Sequence, residues 1–178
     1  MTSVQLGLVV PLLAALAQGQ DPHAHHKQPP AEAGGWVRFR HDTAGFSVEH
    51  PADWKEERSK ASGSVHFAHP SKAVHLFASA FDMAEGSLEK FAELKFAVQS
   101  EMFKARGSNR RMEGPGWNGL VQEAETLEVQ GGKHARRLML CAAHAERYVS
   151  LTLYMDEDEL TENAKDYERI FSSLRFGE

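Results

Sequence analysis

The sequence predicts an α+β domain: a mostly antiparallel β-sheet with a helix packed on each face, an α/β/α sandwich. Three observations lead there. Short stretches of alternating apolar and polar residues recur from position 36 onward, the period of a half-buried strand. Only two stretches, beginning near Ser87 and Asp156, carry apolar residues at helical spacing. The links between the strand-like stretches are short, and short links join antiparallel neighbours because a parallel pair needs a crossover of about a dozen residues or more.

The elements follow in order. Trp36-Val37-Arg38-Phe39-Arg40 alternates, Asp42-Thr43-Ala44-Gly45 is a turn signal, and Phe46-Ser47-Val48-Glu49 alternates again, so the two form a hairpin. Pro51, which has no amide hydrogen for a ladder, ends that strand. Residues 64–68 put Val65 and Phe67 on one face, and residues 73–81 are apolar on both parities, as in a strand covered on both sides. Ser87 is the N-cap of a long helix predicted to run to about Ala105. Its stripe is Leu88, Phe91, Lys95, Val98 and Met102, widened by Leu94, Phe96 and Phe103, and Gly107 is its C′ glycine. Strands are predicted over 119–129 and 134–143, joined through Gly131-Gly132, and over 147–155. Asp156 opens the second helix, with Glu159 completing a capping box and Leu160, Ala164, Tyr167, Ile170, Phe171 and Leu174 as the buried stripe. A short strand, Leu174-Arg175-Phe176, closes the chain. The predicted order is β-β-β-β-α-β-β-β-α.

The 178 residues divide into three parts. Residues 1–17 read as a signal peptide: the run 4–17 is apolar and uncharged, too short to span a bilayer, and ends in the small-x-small pattern Ala15-Leu16-Ala17, although no Lys or Arg precedes it. The cut has no nearby Cys, so no lipid anchor is expected. Residues 18–35 read as a disordered His/Pro/Gly-rich linker that offers almost no large apolar side chain to offset the entropy of ordering. Residues 36–178 form the single folded domain. A net charge of −5 argues against a nucleic-acid binder, and a single Cys excludes a disulfide framework and a Cys-rich zinc module.

Two segments resemble a known group. Gly45-Phe46-Ser47-Val48-Glu49-His50-Pro51-Ala52-Asp53-Trp54 resembles the Phe-x-apolar-x-x-Pro-x-x-Trp opening of the Mog1/PsbP-like superfamily. Tyr167-Glu168-Arg169-Ile170-Phe171-Ser172-Ser173-Leu174-Arg175-Phe176 is similar to that group's last helix running into a Ser-apolar-Arg-Phe strand. The element order agrees over the whole domain. The resemblance implies the sandwich fold and a binding or assembly role, since members share no catalytic set and there are no functional residues to carry over. The exported, linker-bearing layout is most similar to the exported bacterial members.

Gly114-Pro115-Gly116-Trp117-Asn118-Gly119 matches G-x-G-x-x-G, but a strand-like stretch follows where a helix is needed and Pro115 removes an amide, so a turn with Trp117 packed over it is expected. If exposed, Trp117 is a candidate contact residue. Cys141, set among Leu138, Leu140, Ala142 and Ala143, reads as a buried thiol, and the odd offset to His144 puts the two on opposite faces. His23, His25 and His26 form a tract of neutral imidazoles suited to Zn, Cu or Ni. His50, His66, His69 and His75 lie on neighbouring elements, and two or three of them converge on a metal if the register allows. The acidic run Asp156-Glu157-Asp158-Glu159 lacks the spacing of a calcium loop and suits a helix N-terminus.

The expected function is therefore an exported, non-enzymatic binding or assembly-factor domain of PsbP-like type. It is monomeric, lies outside the cytoplasm, has a protein partner, binds no nucleic acid and is at most peripheral to a membrane. One alternative is an extracytoplasmic transition-metal-binding protein that uses His23, His25 and His26. Another is a hydrolase-like enzyme whose site lies at Cys141 or on the face shared by Glu123 and Glu125. No catalytic residue is assigned, and no cofactor beyond those metals.

Overall fold

The computed structural model describes residues 35–58, 63–82, 86–127 and 134–177. The predicted signal peptide, nearly all of the linker with His23, His25 and His26, and the Gly131-Gly132 turn lie outside the described residues.

Two antiparallel sheets face each other. The smaller joins β1 (Trp36–His41), β2 (Phe46–Pro51) and β11 (Arg175–Phe176) in the order β1-β2-β11. The larger is built from β3 (Lys55–Arg58), β4 (Ser64–Ala68), β5 (His75–Asp82), β6 (Phe103–Ala105), β7 (Arg110–Gly114), β8 (Trp117–Thr126), β9 (Ala135–His144) and β10 (Arg147–Asp156). Its order is β3-β4-β5-β10-β9-β8-β6, with β7 also paired to β8 and every pair antiparallel. Helix α1 (Leu88–Ala97) packs on one face, and α2 (Glu157–Ser172) together with the small sheet packs on the other. This is the predicted α+β sandwich.

Strand parity sorts the side chains between the two cores. In β10, Val149, Leu151, Leu153 and Met155 point toward α2 and meet Leu140 and Ala142 of β9, Phe67 of β4 and Leu76 of β5. Phe39, Phe46 and Val48 of the small sheet close over them, with Tyr167, Ile170 and Phe171 of α2. Each fully buried side chain of this kind contributes about 1.5–3 kcal/mol. The opposite parity supplies Met139, Cys141 and Tyr148, which pack against Phe91, Ala92 and Phe96 of α1.

Four expectations are corrected. The first helix stops at Ala97 rather than Ala105, because Gln99 adopts a left-handed φ of 64° and the chain then turns back to place Phe103 beside Thr126 as strand β6. The Arg137 guanidinium holds that helix end, donating to the carbonyls of Val98 (2.8 Å) and Phe96 (3.3 Å), so Gly107 is not its C′ residue. Asp156 is the N-cap of α2, but its side chain makes no capping bond. Glu159 turns away from it, to Lys72 Nζ (2.7 Å) and Asn163 Nδ2 (2.9 Å). Strands β3 and β7 were not expected: β3 is exposed at all four positions and β7 at three of five, so neither carries a period-2 signal.

Candidate functional site

The register of the large sheet sets two rows of side chains on the α1 side. One row runs Glu57, His66, Phe77, Thr152; the next runs Ala68, His75, Tyr154, Arg137. Helix α1 packs over β8, β9 and β10 and leaves Phe77 on β5 40% exposed. His66 stacks on the Phe77 ring with centroids 4.4 Å apart and planes 10° from parallel. Tyr154 meets Phe77 edge-on at 5.7 Å and Phe103 at 5.7 Å, and its hydroxyl donates to Gln99 Oε1 at 2.7 Å.

Exposed apolar residues collect around that Tyr154–Gln99 bond. Val98 precedes Gln99, Met102 donates its amide to the Gln99 carbonyl, and Leu127 donates its amide to the Met102 carbonyl. Each of the three is more than half exposed. With Phe77 they are four of the five large apolar side chains that the described residues expose; the fifth, Leu94, lies on α1. Single exposed apolar residues are ordinary, whereas a group of them is a candidate interaction surface.

His66 and His75 come together within this face, Nε2 to Nδ1 at 3.0 Å with stacked rings. Glu57 Oε2 lies 3.4 Å from His66 Nδ1. A carboxylate accepts, so Nδ1 carries the proton and Nε2 accepts from His75 Nδ1–H. Burial lowers the His75 pKa from its ordinary value, the neighbouring His66 lowers it further, and Glu57 opposes both.

The other two histidines of the expected cluster go elsewhere. His69 accepts the amides of Ser71 and Lys72 on Nδ1, both at 3.1 Å. His50 is 2% exposed on the opposite side of the sheet, against the Phe67 ring. Among the described residues no three of His, Cys, Asp and Glu gather as metal ligands.

The remaining candidates are buried or ion-paired. Trp117 is 2% exposed and cannot be a contact residue: its indole is roofed into the core and its Nε1–H donates to the Leu174 carbonyl at 2.9 Å. The glycine motif around it is a hairpin turn between β7 and β8, with Gly116 at φ 76°. A Cβ on Gly114 would strike the indole, and one on Gly119 would lie 2.7 Å from Leu140 Cδ1, so those glycines make room for side chains rather than phosphate.

Cys141 is fully buried, and burial pushes its thiol up to about 12 against the weaker opposing pull of Lys95 and Arg137. It packs with Phe91, Ala92, Phe96, Met139 and Tyr148, and Lys95 and Arg137 lie near enough to act on it electrostatically. Glu123 and Glu125 are held by cations. The buried Arg136 guanidinium bonds Glu125 at 2.9 Å, Glu157, and Glu123 at 3.7 Å, and Arg106 flanks the same acids.

The chain is a two-layered antiparallel sandwich with Phe77 exposed on the α1 side of the large sheet. Known structures agree on the fold. Cyanobacterial PsbP (CyanoP) from Synechocystis, solved in solution, is similar with a TM-score of 0.61 and 13% identity over 83% of this chain and 95% of that one. LpqN, described as involved in cell envelope biogenesis of Mycobacterium tuberculosis, is similar with a TM-score of 0.58 and 12% identity over 80% and 91%. A protein from Bacteroides thetaiotaomicron gives 0.54 and 16% over 75% of this chain and 45% of its own length. No protein-family model matches the sequence, and no curated protein is significantly similar to it. The chain thus has the PsbP/Mog1-like fold. Among the described residues no helix is long and apolar enough to cross a membrane.

Proposed function

We propose that this chain is an exported, non-enzymatic binding or assembly domain of PsbP-like type, and that it engages a protein partner through the surface around Phe77. The observation that carries this reading is the gathering of Phe77, Val98, Met102 and Leu127 about the Tyr154–Gln99 bond. Rigid aromatic side chains bind with little loss of rotamer entropy, and the antiparallel sheet beneath Phe77 and Tyr154 fixes them in advance. The partner chemistry that fits is an apolar or aromatic side chain seated on Phe77 and framed by the imidazole of His66. The apolar, uncharged segment 4–17 supports export, with Gln18 as the mature terminus. The fold is shared with PsbP and with LpqN, a protein involved in cell envelope biogenesis, which fits an exported PsbP-like domain.

The test is affinity capture from the native host with the wild-type chain, Phe77→Asp and Met102→Asp. The reading requires a protein retained by the wild type and lost from both variants while their circular dichroism stays native. An unchanged set of captured proteins sinks the surface assignment. A chain recovered from the cytoplasm with Met1 intact sinks the export assignment.

A further inference from the structure

His66 and His75 hold the geometry of a pair of metal ligands. They are diagonal neighbours on paired strands, placed on one face by the register His66↔Phe77 and Ala68↔His75. Two imidazole nitrogens bound at about 2.0–2.1 Å to one tetrahedral ion stand about 3.3 Å apart. The observed separation of Nε2 and Nδ1 is 3.0 Å. Small side-chain rotations bring both lone pairs onto one ion, provided His75 carries its proton on Nε2 instead of Nδ1.

Two neighbours prepare the site. The Phe77 ring, 4.4 Å from the His66 ring and nearly parallel to it, fixes the plane of that imidazole. Glu57 Oε2 faces His66 Nδ1 from the far side of the ring, the arrangement in which a carboxylate orients a ligating histidine and raises its basicity. His66 keeps 23% of its side-chain surface exposed, so an ion has a path to it.

We propose that His66 and His75 form an open, two-imidazole site for a late divalent transition-metal ion, with Glu57 as its positioning carboxylate. Two neutral imidazoles suit Cu2+, Ni2+ and Zn2+ and not the oxygen-seeking Mg2+ or Ca2+. Among these ions Cu2+ binds most tightly to such a set. With two protein ligands, the remaining positions of the ion stay open to water or to a donor from another molecule. The site shares His66 and Phe77 with the proposed partner surface, but metal uptake and partner capture are read by separate experiments, so the failure of one is distinguishable from the failure of the other.

The His-rich tract must be separated from this site, so the test starts from the full chain with His23, His25 and His26 all replaced by alanine. Calorimetric titration of that chain with Cu2+, and separately with Zn2+, is expected to give one equivalent bound, with Cu2+ the tighter. In the same background, His66→Gln or His75→Gln weakens binding at least about tenfold, and Glu57→Gln weakens it about 10–100-fold. Circular dichroism establishes that each variant is folded. The imidazole nitrogen resonances of His66 and His75 shift on adding Zn2+ while those of His50 do not. If the triple-alanine chain takes up no metal, if His66→Gln and His75→Gln leave uptake unchanged, or if the resonances that move belong to other histidines, the proposal is overturned.

Discussion

The indole Nε1–H of Trp117 donates to the carbonyl of Leu174 at 2.9 Å, tying β8 to the segment that follows α2 across 57 positions of sequence. That carbonyl also accepts from Arg175 Nη1 at 2.8 Å, so losing the indole does not strand it. Trp117→Phe therefore removes one buried hydrogen bond, about 1 kcal/mol, and leaves a small cavity. The expected loss is about 2–3 kcal/mol in urea unfolding with an unchanged denaturant slope. Partner capture through Phe77 stays intact in this variant. A loss below about 0.5 kcal/mol would show that the indole packs loosely.

Ala145 sits in the two-residue turn between the paired His144 and Arg147, at φ 51°. A side chain in the left-handed region costs roughly 1–2 kcal/mol, and glycine avoids that cost while adding freedom to the unfolded chain. Ala145→Gly is expected to gain about 0.5–1 kcal/mol, raising Tm by about 2–3 °C in calorimetry. A lower Tm contradicts the strain argument.

Cys141 should be chemically silent. Its thiol is pushed up to about 12 by burial, which outweighs the opposing pull of Lys95 and Arg137, and it packs among Phe91, Ala92, Phe96 and Met139. At pH 8 the native chain should show no reaction with a disulfide-exchange reagent, and one equivalent should react in guanidinium. Rapid reaction in the native state would reopen the question of a nucleophile there.

How much of this was legible in sequence depended on where each signal resides. The central strands were readable because Val149, Leu151, Leu153 and Met155 must all face one core. The ends of elements were not. Nothing in the run Val98-Gln99-Ser100-Glu101-Met102 announces a break, because the stop is set by Arg137 from another strand and by the pairing of Phe103 with Thr126. The exposed apolar residues Val98 and Met102 were read as helix stripe for the same reason. Strand β3 borrows its order from β4 and has no buried residue to reveal it. The four neighbouring histidines are visible as candidates, but only the register of β4 on β5 pairs His66 with His75, and only the packing of the small sheet sets His50 of β2 against Phe67 on the other side.

His50 makes the acid side of the stability curve a test of its burial. The ring is 2% exposed, its Nδ1–H donates to the Pro51 carbonyl at 2.8 Å, and its Nε2 has no hydrogen-bond partner among the described residues. Burial lowers its pKa below the ordinary 6.5, against weaker opposing pulls from the Pro51 carbonyl, Glu56 and Asp53. The unfolded chain thus binds a proton at a pH where the folded chain does not. The stabilising contribution is complete above about pH 6.5 and is lost as the pH falls from there toward the folded value. Within that window each pH unit costs up to about 1.4 kcal/mol. His50→Asn keeps a donor for Pro51 but does not titrate, so its unfolding free energy should fall less steeply between pH 7 and pH 5 than that of the wild type. His41 and His75, whose pKa values are also lowered by burial, leave a residual slope in both chains. Urea unfolding at pH 5, 6 and 7 reads the difference, and parallel curves for the two chains would mean that His50 accepts its proton without leaving the core.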